Sequence, residues 1–172
     1  GRLAGLDVPD KTMDNARRYL DSIQSDGGAR YGYRNARDDR LTTAIGLLSR
    51  IYLGWPRDED ALKRGVEYLT KDGPSINDLY YNYLVTHVLV HYTETEGEIW
   101  KQWRKPLYDM LVDAQARKGH ERGSWYFAED PQAQWGGRVY CTAMAVMTLE
   151  VYYRFLNIYA PAYRQKENSV TE

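Results

Sequence analysis

A chain of 172 residues, 43% hydrophobic and 27% charged, is long enough to bury a real core as one domain and has an ordinary globular composition. Its 23 basic and 24 acidic residues leave a formal charge of −1, which removes the electrostatic footprint expected of a nucleic-acid binder or of a protein held to an anionic membrane. The single cysteine, Cys141, excludes an internal disulfide and a multi-cysteine zinc site, and no apolar stretch is long enough to insert in a bilayer or to serve as a targeting signal.

Apolar spacing is helical throughout and predicts an all-α fold of six main helices, with no alternating pattern that would mark a strand. The first helix begins near Pro9-Asp10, carries Met13, Ala16, Tyr19, Leu20 and Ile23 on one face, and stops at the breaker Ser25-Asp26-Gly27-Gly28. A polar loop from Ala29 to about Arg40 leads into a second helix, Leu41 to Leu53, richer in small and apolar residues and ended by Gly54-Trp55-Pro56. Asp58 is the expected cap of a third helix, which ends at Asp72-Gly73-Pro74. Ser75 to Asp78 offers caps for the fourth, which runs to about Thr93. The fifth extends from about Glu96 to Arg117 with Pro106 as a kink point, and the sixth from about Val139 to Tyr159. Residues 160–172 read as a polar tail.

The helices pair off. Gln24 and Gln115 each end a helix ahead of a glycine-bearing loop with an aromatic residue, and they lie 91 residues apart, or two units of about 45. This predicts three helical hairpins, at about 10–54, 55–95 and 96–159, within a single domain. In each the first helix is the more polar and the second the more apolar, as expected of outer and inner layers.

Aromatic usage is uneven: 16 Tyr and 5 Trp against 2 Phe. Tyr and Trp combine an apolar body with a polar tip and suit half-wet surfaces. Many stand, with arginines, at the starts of the more apolar helices. Tyr31, Tyr33 and Arg34 precede the second; Tyr80, Tyr81 and Tyr83, with His87 a turn further on, open the fourth; Trp125, Trp135, Arg138 and Tyr140 precede or open the sixth. With the hairpins side by side, these residues would gather at one end of the bundle as a candidate ligand-binding patch. The alternative is that the rings interlock neighbouring hairpins.

The loop motifs carry a resemblance. Gln24-Ser25-Asp26-Gly27-Gly28-Ala29-Arg30-Tyr31 and the stretch from Gln115 to Gly123-Ser124-Trp125 are similar to the Gln…Gly-x-Trp repeats of terpenoid cyclases such as squalene–hopene cyclase, with Tyr for Trp in the first and a longer spacer in the second. Trp135-Gly136-Gly137-Arg138-Val139-Tyr140-Cys141-Thr142-Ala143 and Leu41-Thr42-Thr43-Ala44-Ile45-Gly46-Leu47-Leu48 look like the family's lead into an inner helix. Tyr31-Gly32-Tyr33-Arg34, Tyr52-Leu53-Gly54-Trp55, Gly73-Pro74-Ser75 and Thr148-Leu149-Glu150-Val151-Tyr152-Tyr153-Arg154 further resemble the prenyltransferase and squalene oxidase repeat proteins of bacteria, planctomycetes in particular. The resemblance implies a partial α/α toroid. It also implies that Gln24, Gln115, Tyr31 and Trp125 are staples tying helix ends to adjacent hairpins.

The chemistry of that superfamily is harder to place. Its cyclases protonate substrate with an Asp-x-Asp-Asp motif that this sequence lacks, and Asp38-Asp39 lies among Arg34, Arg37 and Arg40, where cations favour ionised carboxylates. Its prenyltransferases hold zinc with Asp, Cys and His, yet Cys141 has no such neighbour at ligand spacing. His87 and His91, one turn apart, lack a third ligand and the Glu of a His-Glu-x-x-His site. Complement-type thioester domains need Cys followed by Gly-Glu-Gln, whereas Cys141 is followed by Thr-Ala-Met. The expectation is a domain of a longer protein that binds a ligand or protein without catalysis, with no cofactor and no metal. Its partners would be other domains of the parent chain, or a second copy, because an open arc leaves its end repeats uncapped. The alternatives are an isoprenoid-handling enzyme completed from elsewhere and a purely structural module.

Overall fold

The computed structural model describes residues 6–93 and 97–158. Its helices are α1 (Asp10–Ile23), α2 (Arg40–Tyr52), α3 (Asp60–Thr70), α4 (Leu79–Thr93), α5 (Glu98–Ala114) and α6 (Ala133–Ile158). The all-α expectation holds. The tail at 160–172 lies outside the described residues.

Helix α4 explains the arrangement. Leu79, Tyr81, Leu84, Val85, Val88, Leu89 and Val90 are all buried, covering nearly every direction around its axis. A helix apolar on all sides belongs in the middle of a fold. It packs against α2 on one flank and α6 on the other, with α3 against both α2 and α4, and α5 on α4. Helices α2 and α4 run parallel. The Arg40 guanidinium at the start of α2 donates to the Tyr81 hydroxyl at 2.7 Å, and at the other end Tyr52 and His91 meet edge to face with centroids 5.1 Å apart. Helices α1 and α3 are amphipathic in the ordinary way, α3 burying Ala61, Leu62, Gly65, Val66 and Leu69.

Close approach is made possible by glycine. Gly46 in α2 lies under the ring of Tyr31, where a β-carbon would sit 2.2 Å from the ring. That contact lets the loop after α1 lie flat on α2.

Several boundaries differ from expectation. Gln24–Ser25 and Arg30–Tyr31 form a two-residue antiparallel pair, β1 and β2, around the turn at Asp26–Gly28. Strands this short leave no alternation in a sequence. Helix α3 starts at Asp60 after Glu59 with no side-chain cap, so Asp58 does not serve as one. Helix α5 runs unbroken through Pro106 and ends at Ala114, because Gln115 turns extended and the Ala116 N–H bonds the Ser124 carbonyl. The first turn of α6 is broken at Gly137, at φ 56° and ψ −153°, and the continuous helix resumes at Arg138.

Candidate functional site

One bonding device recurs at the start of each apolar helix. The Tyr31 N–H donates to the Thr43 hydroxyl at 3.1 Å, and that hydroxyl lies 3.3 Å from the Tyr31 carbonyl. The Ser75 N–H donates to Asn82 Oδ1 at 2.8 Å while Asn82 Nδ2 donates to the Ser75 carbonyl at 2.6 Å. The Trp125 N–H donates to the Thr142 hydroxyl at 3.1 Å, which faces the Trp125 carbonyl at 3.4 Å. In all three, a polar side chain near the helix start bonds both backbone groups of one residue in the preceding loop. Buried backbone groups need such partners. Thr43 and Thr142 stand within the two motifs that resemble leads into an inner helix, but sequence reasoning gave them no bonding role, and Asn82 was not singled out.

Three of the candidate rings are part of this scaffold. Tyr31 is fully buried, and its hydroxyl accepts from Arg50 Nε at 2.9 Å. Arg50, itself buried, also donates to Asp21 and to Gln24 Oε1 and lies over the Trp55 ring, so Gln24 is tied into the packing. The Tyr81 hydroxyl donates to the Leu69 carbonyl, Arg40 stacks on the ring, and burial pushes the Tyr81 pKa up to about 12. Trp125 Nε1 donates to the Leu111 carbonyl at 2.6 Å, and Gln115 Nε2 to the Gly123 carbonyl at 3.1 Å. The Tyr81 and Trp125 bonds answer unpaired carbonyls in the last turns of α3 and α5.

Other candidates lie at the surface, in whole or in part. Tyr33 is 70% exposed on the loop after β2, with Arg34 over its ring and its carbonyl accepting from the Tyr19 hydroxyl. Trp135 is 89% exposed on the broken first turn of α6. Arg138 pairs with Glu121 at 3.0 Å, donates to the Ser124 hydroxyl at 3.3 Å and lies over Tyr126.

The structure brings Tyr80, Tyr83 and His87 together, at i, i+3 and i+7, as the open strip of α4. Tyr83 and His87 meet edge to face with centroids 4.6 Å apart. Burial pushes the His87 pKa down to about 4, so the imidazole is neutral at physiological pH and the strip carries no formal charge. Helices α2 and α6 frame it, with Ile45 and Tyr52 exposed on α2 and Val139, Ala143, Val146 and Met147 on α6. The last four share one face of α6, and Val139 is 82% exposed.

Carboxylates collect where α4 begins, but as caps. Asp78 Oδ1 accepts from the Tyr81 N–H and Asp130 Oδ2 from the Leu79 N–H, while Asp130 Oδ1 accepts from Gln132. The positive end of the helix dipole favours them there. Burial, then the nearby Asp130, pushes the Asp78 pKa up. Tyr140 sets a buried hydroxyl close by, and burial followed by Asp130 and Asp78 raises its pKa. Among the described residues no group of three or more His, Cys, Asp and Glu is placed to hold a metal ion, and Cys141 is buried. None of the described helices is long and apolar enough to cross a membrane.

Two clefts lie away from these side chains. One, of about 320 Å³, opens beside α5; the other, of about 470 Å³, lies between β2, the start of α2 and α3, and is lined by Arg30, Arg40, Arg64 and Lys71 with Asp26, Glu67 and Asp72. Comparison of the chain with models of protein families, with curated proteins and with solved structures finds no match.

Proposed function

We propose that this chain is a non-catalytic interaction module, an arc of α/α repeats like those of the terpenoid cyclases and prenyltransferases, which docks protein along the open face of α6. The observation that carries the reading is the contrast between α4 and α6. Both are rich in apolar residues, yet α4 is covered except for one strip, whereas α6 leaves Val139, Ala143, Val146 and Met147 in solvent. Exposed apolar faces of this kind mark interaction sites. The thrice-repeated bond from the start of an apolar helix to its preceding loop supports the repeat reading.

The occupant that fits is an apolar helix lying along α6 as α4 does on its other side. The chain offers one: α2, at the far end of the row, exposes Ile45 and Tyr52 and half-exposes Leu41. A second copy would bring α2 to α6, a head-to-tail contact. The catalytic alternative draws no support from Asp78 and Asp130, which are engaged in capping α4.

Sedimentation analysis over a range of concentrations tests the reading. The wild-type chain is expected to self-associate, and Val139→Glu with Met147→Glu to return it to monomer with unchanged circular dichroism. A wild-type monomer at all concentrations, or a double variant that associates as before, defeats this choice of partner.

A further inference from the structure

Each apolar helix can be counted from the side chain that holds its preceding loop: Thr43 in α2, Asn82 in α4 and Thr142 in α6. Two places on stand Ile45, Leu84 and Met144; Ile45 is 39% exposed, the other two 7% and 8%. Nine places on, Tyr52 is exposed while His91 and Val151 are buried. The other flank shows the reverse. Four places on, Leu47 and Thr86 are buried and Val146 is exposed. Three places back, Leu79 is buried, Arg40 half-buried and Val139 exposed. Helix α2 is bare where α4 and α6 are covered, and α6 is bare where α2 and α4 are covered. These are the two ends of one repeating row, in which each unit touches only its neighbours.

The cover at the fourth place comes each time from the first helix of the following hairpin. Gly65 of α3 lies against Leu47, where an added β-carbon would sit 2.5 Å from Leu47 Cδ1. Trp103 of α5 donates from Nε1 to the Thr86 hydroxyl at 3.1 Å. Helix α1 repeats the pattern of α3: Ala16-Arg17-Arg18-Tyr19-Leu20 matches Gly65-Val66-Glu67-Tyr68-Leu69, a small residue four places before a buried leucine. In α3 the small residue is buried, whereas Ala16 is exposed, and Thr12 is exposed at the place of buried Ala61. Helix α1 thus shows to solvent the side that α3 lays on α2.

We infer that a second copy continues the row, its α1 lying on α6 as α3 lies on α2, with Ala16 of that copy against Val146. The inference rests on docking at α6, and adds to it a surface on α1 and a register. The contact joins two different faces, so every copy keeps one face for the next.

The test is complementation, read by sedimentation. Ala16→Glu spoils the α1 face and leaves α6 whole; Val146→Glu does the opposite. Each alone is expected to associate about tenfold or more weakly than wild type, with unchanged circular dichroism. Mixed in equal amounts, they retain one whole junction and should form a dimer that grows no further. Ala16→Cys and Val146→Cys, gently oxidised, should give a disulfide-linked dimer when mixed and none when kept apart. The inference is overturned, with docking on α6 left standing, if Ala16→Glu associates as wild type does. The same holds if the single cysteine variants link to themselves, or if the mixed pair associates without linking. A wild-type monomer at all concentrations overturns both.

Discussion

Thr142 holds both backbone groups of Trp125, taking its N–H at 3.1 Å and facing its carbonyl at 3.4 Å. Thr43 does the same for Tyr31, and Asn82 for Ser75. Replacing Thr43 by Val keeps the shape and strands a buried N–H, which should cost about 1–3 kcal/mol in urea unfolding. Asn82→Leu should cost more, because two short bonds are lost together. If Thr43→Val and Asn82→Leu unfold with the wild-type midpoint, the device contributes nothing to stability.

Arg50 is the second pinning point. Its guanidinium joins Tyr31, Asp21 and Gln24 and lies over Trp55, linking α1, the β1–β2 turn and α2. Asp21 is partly in water, so losing Arg50 leaves that carboxylate solvated but leaves the Tyr31 hydroxyl buried without its donor. Arg50→Met should therefore destabilise by about 2 kcal/mol, and Arg50→Lys should recover little because an ammonium lacks the fork. Full recovery by Lys in thermal melts would count against the multi-point role.

Gly46→Ala tests the approach of Tyr31 to α2. The added carbon would lie 2.2 Å from the ring, and Tyr31 is held at its backbone by Thr43 and at its hydroxyl by Arg50, so relief requires moving the loop. A loss of about 1–3 kcal/mol is expected, despite the better helix propensity of alanine. A stabilised Gly46→Ala protein would show that the loop yields freely.

Acid should act through two histidines. Burial holds His87 and His91 neutral, with pKa values pushed down from 6.5 to about 4 and about 3, the second lowered further by His87 and Arg57. Below pH 6.5 the unfolded chain takes up these protons and the folded chain does not. Stability from this source is whole above pH 6.5 and falls as pH drops toward 4, by up to about 1.4 kcal/mol per unit for each ring. Asp78, whose pKa burial raises, works in the opposite sense. Urea midpoints of a His87→Leu, His91→Phe variant should fall less steeply between pH 6.5 and 4 than those of the wild type; equal slopes would rule the histidines out.

Much of the fold was legible because its signals are local. The start of α1 at Asp10 and the cap at Asp78 are written in residues next to each other. The candidate surface was less so. Tyr31 and Tyr33 stand two apart in one loop, and one is wholly buried while the other faces water. Whether a ring packs depends on where its loop crosses the following helix, which no periodicity records. The bonding role of Thr43, Asn82 and Thr142 was hidden for a related reason: the residue types differ, and they reach back 12, 7 and 17 positions. The strip of Tyr80, Tyr83 and His87 needed only helical spacing, and the sequence contained it.

The lone thiol makes the molecule its own stopwatch. Cys141 has no exposed surface and lies on the buried face of α6, so a thiol reagent reaches it only during the moments when that helix lifts away. The pace of labelling in native buffer then reports how often the end of the row opens. A partner clamped along Val139 and Met147 would slow it without touching the sulfur.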